Sequence, residues 1–219
     1  MIRERKSEKV PSSLLTTSQY DGEDVKAQLL EDQHEKCYIC ERRLITDFEI
    51  EHYRSQKNYP ILTNTWSNLF LSCRYCNGKK RNSFDDNIYP SLINIEDKII
   101  QRIDFEKNEA VFLSMVEEDM IHRNTINMLH VLYNGRLIHS GKQIIRKTKE
   151  KRFFDYTKQI MNSFLEKVNT FLMEPTPANR ALVAAELSIE QEMLGFKYWV
   201  IRDNHLETEF KDEIVWNKH

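Results

Sequence analysis

Glycine and proline are scarce in this chain, five of each among 219 residues. That scarcity argues against linker-dominated and low-complexity architectures, which draw heavily on both residues. Long apolar runs are missing too. No stretch approaches the roughly 18 uninterrupted apolar residues needed to span a bilayer, and the opening Met1-Ile-Arg-Glu-Arg-Lys contains no apolar export core. No membrane partner and a cytoplasmic location are therefore expected. An excess of either charge sign is also absent overall, the formal net charge being −2. What is present, 40% hydrophobic and 30% charged residues, is enough to bury a core and points to a globular, helix-rich protein.

Cysteines are few but not scattered. All four fall in two CxxC pairs, Cys37-Tyr-Ile-Cys40 and Cys73-Arg-Tyr-Cys76. A CxxC turn lets two thiolates share a cation, and two such knuckles complete a closed tetrahedral zinc site with no open position for chemistry. Disulfides are the weaker alternative, since CxxC pairs make poor structural bridges and no export signal is present. Zn2+ is thus expected as a staple holding the ends of the 40–73 segment together. His34, just before the first knuckle, is a possible substitute ligand, but four cysteines leave no vacancy for it.

The balanced net charge hides an uneven distribution. Residues 36–82 carry nine Lys or Arg against four Asp or Glu, whereas residues 83–219 carry eighteen against twenty-two. The basic stretch coincides with the knuckles. A local surplus of this kind suits a polyanion such as DNA, although a solvated basic face is the duller reading.

Residues 1–22 read as irregular, and Val25, Leu29 and Leu30 predict a helix leading into the first knuckle. Phe48-Glu-Ile-Glu-His alternates as a strand does, with Phe48 and Ile50 on one face and Glu49 and Glu51 on the other. Trp66 to Leu71 reads as the start of a helix, and 77–81 as a short helical turn. Beyond Tyr89-Pro90 the pattern turns helical. One helix is expected up to Asn134-Gly135, a second over 137–173 closed by Pro175-Thr-Pro177, and a third over 178–194. Phe196 to Ile201 could be a strand or a buried helical turn, and Tyr198 and Trp199 read as core. His122, His130 and His139 read as ordinary core or surface histidines. The expected organisation is an α+β module in residues 1–90 and a mainly α-helical module in 91–219.

Chemistry-bearing residues lie between and beside the knuckles. Hydrolysis of a phosphodiester needs a base for water and a cation for the phosphate charge. His52 can supply the base, imidazole titrating near neutrality. Glu51 and Asn77 offer hard oxygen atoms suited to Mg2+ or Mn2+. Asn68 can donate and accept at once, so it can orient His52 or brace its loop. Lys79, Lys80 and Arg81 would lie on the phosphate side.

Glu51-His52, then Asn68-Leu69, then Cys76-Asn77-Gly-Lys-Lys80 resemble the HNH endonucleases, whose ββα-metal motif is often framed by two zinc knuckles. The resemblance implies His52 as general base, Glu51 and Asn77 as ligands of the catalytic divalent metal, and Asn68 as the orienting residue. Glu51 stands where many members have Asp, and Asn77 where the original motif has His. A broader likeness joins Lys9-Val-Pro-Ser-Ser-Leu14, Ile50 to Pro60 and Trp66-Ser-Asn-Leu69 to the PtuB family, HNH subunits of the bacterial Septu anti-phage system that also occur with some retrons. It implies a PtuA-like ABC-type ATPase partner docking on the helical region after residue 90. A non-cleaving zinc-stapled DNA-binding or adaptor protein, and a phage-packaging-associated HNH nuclease, are the alternatives.

Overall fold

The computed structural model describes residues 1–44, 46–117, 119–137, 144–214 and 216. His139 lies outside them. The segment before the first knuckle is less irregular than expected. A one-turn helix α1, Ser12–Thr16, precedes α2, Glu23–Asp32, which buries Val25 and Leu29 as its spacing predicts.

Strand β1, Phe48–His52, pairs antiparallel with β2, Leu69–Cys73, so that Phe48 faces Cys73 and His52 faces Leu69. Helix α3, Arg74–Lys80, follows β2 without a break, giving a ββα unit. The expected helix over 66–71 is not formed. A single 3-10 turn, Trp66–Asn68, delivers the chain into β2. All five β2 residues are buried, and a short apolar run buried on both faces carries no period that separates strand from helix. Phe70 shows what decides it: its ring stacks on Tyr38 at 4.9 Å and meets Tyr53 edge-on at 6.4 Å.

Beyond residue 90 the fold is mostly helical, with one addition. After the short α4, Ile95–Lys98, come strands β3, Ile99–Asp104, and β4, Glu109–Ser114, paired as an antiparallel hairpin. Its tip turns on Asn108 in the left-handed region, φ 54°, with Asp104 Oδ1 accepting from the Lys107 N–H at 2.8 Å. Neither Gly nor Pro marks that turn, so the usual hairpin signal is missing.

Helix α5, Met120–Asn134, is capped by Asp119 and ends at left-handed Gly135 as expected. Helix α6, Thr148–Met173, starts later than the predicted 137. Residues 144–147 are not helical: Arg146 donates to the Tyr133 carbonyl and Asn134 Oδ1, and Glu150 Oε2 accepts from the Lys147 N–H at 2.6 Å to start the helix. Helix α7, Pro177–Glu186, stops short of 194. Met193 at φ 57° turns the chain into α8, Leu194–Asp203, which settles 196–201 as helix. Gly195 lies against the hairpin so closely that a Cβ would sit 2.5 Å from the Gln101 side chain.

The apolar core runs continuously from α2 and the knuckles through Phe70 to Phe112, Tyr133, Phe153 and Phe196. Tyr75 of α3 joins the ββα unit to α5 and α6. Its ring stacks on Phe153 at 4.7 Å and its hydroxyl donates to the Leu132 carbonyl at 2.6 Å.

Candidate active site and metal centre

The knuckles are shaped by the backbone before any cation is considered. Glu41, in the left-handed region at φ 59°, donates its N–H to the Cys37 carbonyl at 2.7 Å, and the Cys37 N–H donates to the Arg42 carbonyl at 3.0 Å. In the second knuckle the Cys76 N–H donates to Cys73 Sγ at 3.4 Å, capping α3 with a ligand atom. The four Sγ atoms all lie within 4.8 Å of one another, all four cysteines are buried and none is disulfide-bonded. Tetrahedral zinc with Zn–S of about 2.3 Å separates its sulfurs by about 3.8 Å, and Cys40 and Cys73 stand 3.9 Å apart. The donor set therefore fits structural Zn2+. Burial pushes the Cys40 and Cys76 thiols well up, a penalty that a bound dication offsets. Among the described residues this quartet is the only tight group of three or more His, Cys, Asp or Glu ligand atoms, and His34 takes no part in it.

His52 closes β1. Its Nε2 stands 2.9 Å from the Thr63 carbonyl oxygen, which can only accept. Nε2 therefore carries the hydrogen, and Nδ1 is left as the basic nitrogen. Tyr20 packs edge-on against the ring at 4.8 Å. Burial lowers the His52 pKa, and the nearby Lys80 charge acts in the same direction. A neutral imidazole is what a general base requires.

Asn68 is the brace of the loop that carries Thr63. Its Oδ1 accepts from the Arg54 N–H at 2.8 Å, while Nδ2 donates to the carbonyls of Arg54 at 3.0 Å and Leu62 at 3.1 Å. Its own carbonyl accepts from the Tyr53 N–H at 2.8 Å, extending the ladder past His52. The side chain touches both ends of the loop and acts on His52 through Thr63. Asp85 ties down the same loop through Ser55 and Asn58.

Glu51 and Glu49 project toward α3, as the strand alternation predicts, but their partners differ. Glu51 is buried, with Oε2 accepting from the Tyr38 hydroxyl at 2.6 Å and Oε1 from Lys80 Nζ at 2.7 Å. Asn77 donates Nδ2 to Glu49 Oε2 at 2.7 Å, and Arg74 Nε reaches Glu49 Oε1 at 3.2 Å. Lys79 is ion-paired with Glu150 of α6, and Arg81 donates Nε to the Gly78 carbonyl at 3.0 Å. Lys80 is fully buried and binds Glu51 and the His52 carbonyl, so it is not a phosphate contact. Tyr38, Glu49 and Thr63 were missed in the sequence. Tyr38 could have been found, since a tyrosine between two buried knuckle cysteines must find a partner for its hydroxyl; Thr63 offers only a backbone carbonyl and leaves no sequence signal.

Residues 37–83 match the HNH endonuclease family. The matched HNH segment begins at the first cysteine and includes His52, Asn68 and Asn77. The chain is also similar to the Septu protein PtuB of Bacillus thuringiensis, 32% identical over 131 residues, which cover 58% of this chain and 48% of that protein. The chain spans about half the length of this curated relative. No solved structure matches it.

An HNH segment is expected to hold a divalent ion beside its histidine. Both Glu51 oxygens are engaged by Tyr38 and Lys80, and the Lys80 ammonium already neutralises the carboxylate. Asn77 is turned to Glu49 instead of to Glu51. In this arrangement Glu51 is bonded to Tyr38 and Lys80 and Asn77 to Glu49, so the two side chains are not turned to a common position. The arrangement does hold a neutral histidine of fixed tautomer on a hairpin framed by the four cysteines.

Proposed function

We propose that this protein is an endonuclease that hydrolyses DNA phosphodiester bonds, with His52 as general base. His52 Nδ1 takes a proton from water, the resulting hydroxide attacks phosphorus, and the P–O bond to the departing sugar oxygen breaks as that oxygen is protonated from solvent. The observation that carries this reading is the Nε2 contact to the Thr63 carbonyl, which leaves Nδ1 basic. Thr63, Asn68 and Lys80 are positioning residues in this scheme. Lys79 and Arg81 lie on the phosphate side.

Similarity to PtuB supports an anti-phage role, with a PtuA-like ABC-type ATPase as the partner. The test is cleavage of plasmid DNA by wild type and His52→Ala, each with Mg2+ or Mn2+ and each with and without the ATPase and its nucleotide. Wild type cutting and the variant silent is the expected result. Equal cutting by both overturns the assignment. One observation favours a second reading, a non-cleaving adaptor: Glu51 is closed off by Tyr38 and Lys80. Failure of the wild type to cut under every condition, with the ATPase bound, would favour that reading.

A further inference from the structure

A cleft of about 920 Å3 lies between α3 and the first turns of α6. Its α3 wall carries Arg74 and Gly78, which at i and i+4 share one helix face, and Arg81 at the C-cap just past the helix, with Lys79 beside them and Arg42 reaching in from the first knuckle. Its other wall carries Lys147, Lys149 and Arg152. Seven cations thus line the cleft against two acids, Asp47 and Glu150. Both acids are already engaged, Asp47 with Arg74 at 3.7 Å and Glu150 with Lys79 and the Lys147 N–H. Lys147, Lys149 and Arg152 are exposed, and none of the three has a carboxylate within ion-pair distance among the described residues.

We infer that this cleft is a binding groove for the DNA backbone, and that the helical region supplies half of it. The inference rests on the nuclease reading and extends it. Phosphate affinity depends on how many lysines and arginines a strand can neutralise along its path, and the HNH segment alone offers only one wall. Continuity with the site favours DNA over an acidic protein surface: Arg74, on the cleft wall, contacts Glu49, which accepts from Asn77. Gly78 leaves the α3 backbone bare where the walls face each other. A Cβ built there meets nothing within 4 Å, so the groove is open to its helical floor. Lys79 and Glu150 bridge the two walls and fix their spacing without ligand.

The test is binding of a short fluorescein-labelled DNA duplex by the full chain, followed by anisotropy across a salt series. Lys149→Gln with Arg152→Gln should flatten the slope of log K against log salt by about 1.8, and weaken binding roughly ten- to a hundredfold near 0.1 M salt. Gly78→Glu should also weaken binding, while its fold stays intact because the position is open and glycine is a poor helix former. Lys9→Gln with Lys211→Gln, at exposed positions away from the cleft, should bind as wild type does. If wild type binds and both cleft variants keep its affinity and salt slope, the groove is wrong while the nuclease reading stands. If wild type binds no duplex at low salt, the groove fails, and cleavage in the presence of the ATPase decides the nuclease reading separately. Displacement of the duplex by poly-glutamate as readily as by unlabelled DNA would overturn the groove in favour of an acidic protein partner.

Discussion

Removing the Lys80 ammonium is the sharpest perturbation of the site. Lys80 has no solvent exposure, and its Nζ lies 2.7 Å from Glu51 Oε1, 3.1 Å from the His52 carbonyl and 3.8 Å from Asp85 Oδ1. Lys80→Met keeps the length of the side chain and strands a buried carboxylate with only the Tyr38 hydroxyl to support it. Breaking one side of a buried pair costs about 3–5 kcal/mol. With a urea m-value of about 2 kcal/mol/M, the unfolding midpoint should fall by roughly 1.5–2.5 M. Glu51→Gln in the same chain removes the stranded charge, so the double variant should recover most of that loss. The coupling across the four-protein cycle should exceed about 1 kcal/mol.

The pH dependence has a definite sign. Burial already raises the Glu51 pKa, and without Lys80 it must rise further. A carboxylate whose folded pKa lies above its unfolded value is penalised in full at high pH, and the penalty fades as pH falls through the folded pKa towards the unfolded one. The deficit of Lys80→Met relative to wild type should therefore be largest at neutral pH and shrink in acid. A single variant as stable as the double at pH 7, or a deficit that grows on acidification, would refute the claim that Lys80 is a structural counter-ion.

Other outcomes follow from the same geometry. The purified protein should contain one zinc per chain by atomic emission, and chelation should abolish the tertiary circular dichroism signal along with activity, because the quartet joins both knuckles. His52→Ala should lower the cleavage rate roughly 10^2- to 10^4-fold. Because burial lowers the His52 pKa, the acid limb of the wild-type pH profile should fall below the ordinary histidine value of about 6.5, the rate rising with pH to a plateau above it. Asn68→Ala leaves three backbone groups unsatisfied and should cost about 1–3 kcal/mol in chemical denaturation. Its activity loss should appear in kcat more than in KM, since the side chain acts through the loop and not on substrate.

Much of the site could be read without coordinates, because its parts are local. The CxxC pairs, the alternation in 48–52 and the Asn134-Gly135 stop each depend on a few neighbouring residues, and each has the expected form. The misreadings have separate causes. Leu69-Phe-Leu was taken for helix because a doubly buried run has no period, and β3 with β4 was missed because the turn at Asn108 lacks the usual glycine. Lys80 was placed among exposed cations by adjacency, yet it sits one residue beyond Lys79 on a helix, where about 100° of rotation separates buried from exposed.

Composition and spacing alone determined that this chain carries two cysteine pairs able to share a zinc ion and a histidine capable of base chemistry, since both depend on residue type at short separations. The tertiary structure decided which atoms those residues meet. It gave Glu51 to Lys80 and Tyr38, turned Asn77 to Glu49, set the tautomer of His52 through the carbonyl of Thr63, and brought α6 against α3 to form a basic cleft. Hydrogen bonds and ion pairs join residues up to 155 positions apart, and their energies depend on burial and approach distance, which exist only once the chain has folded.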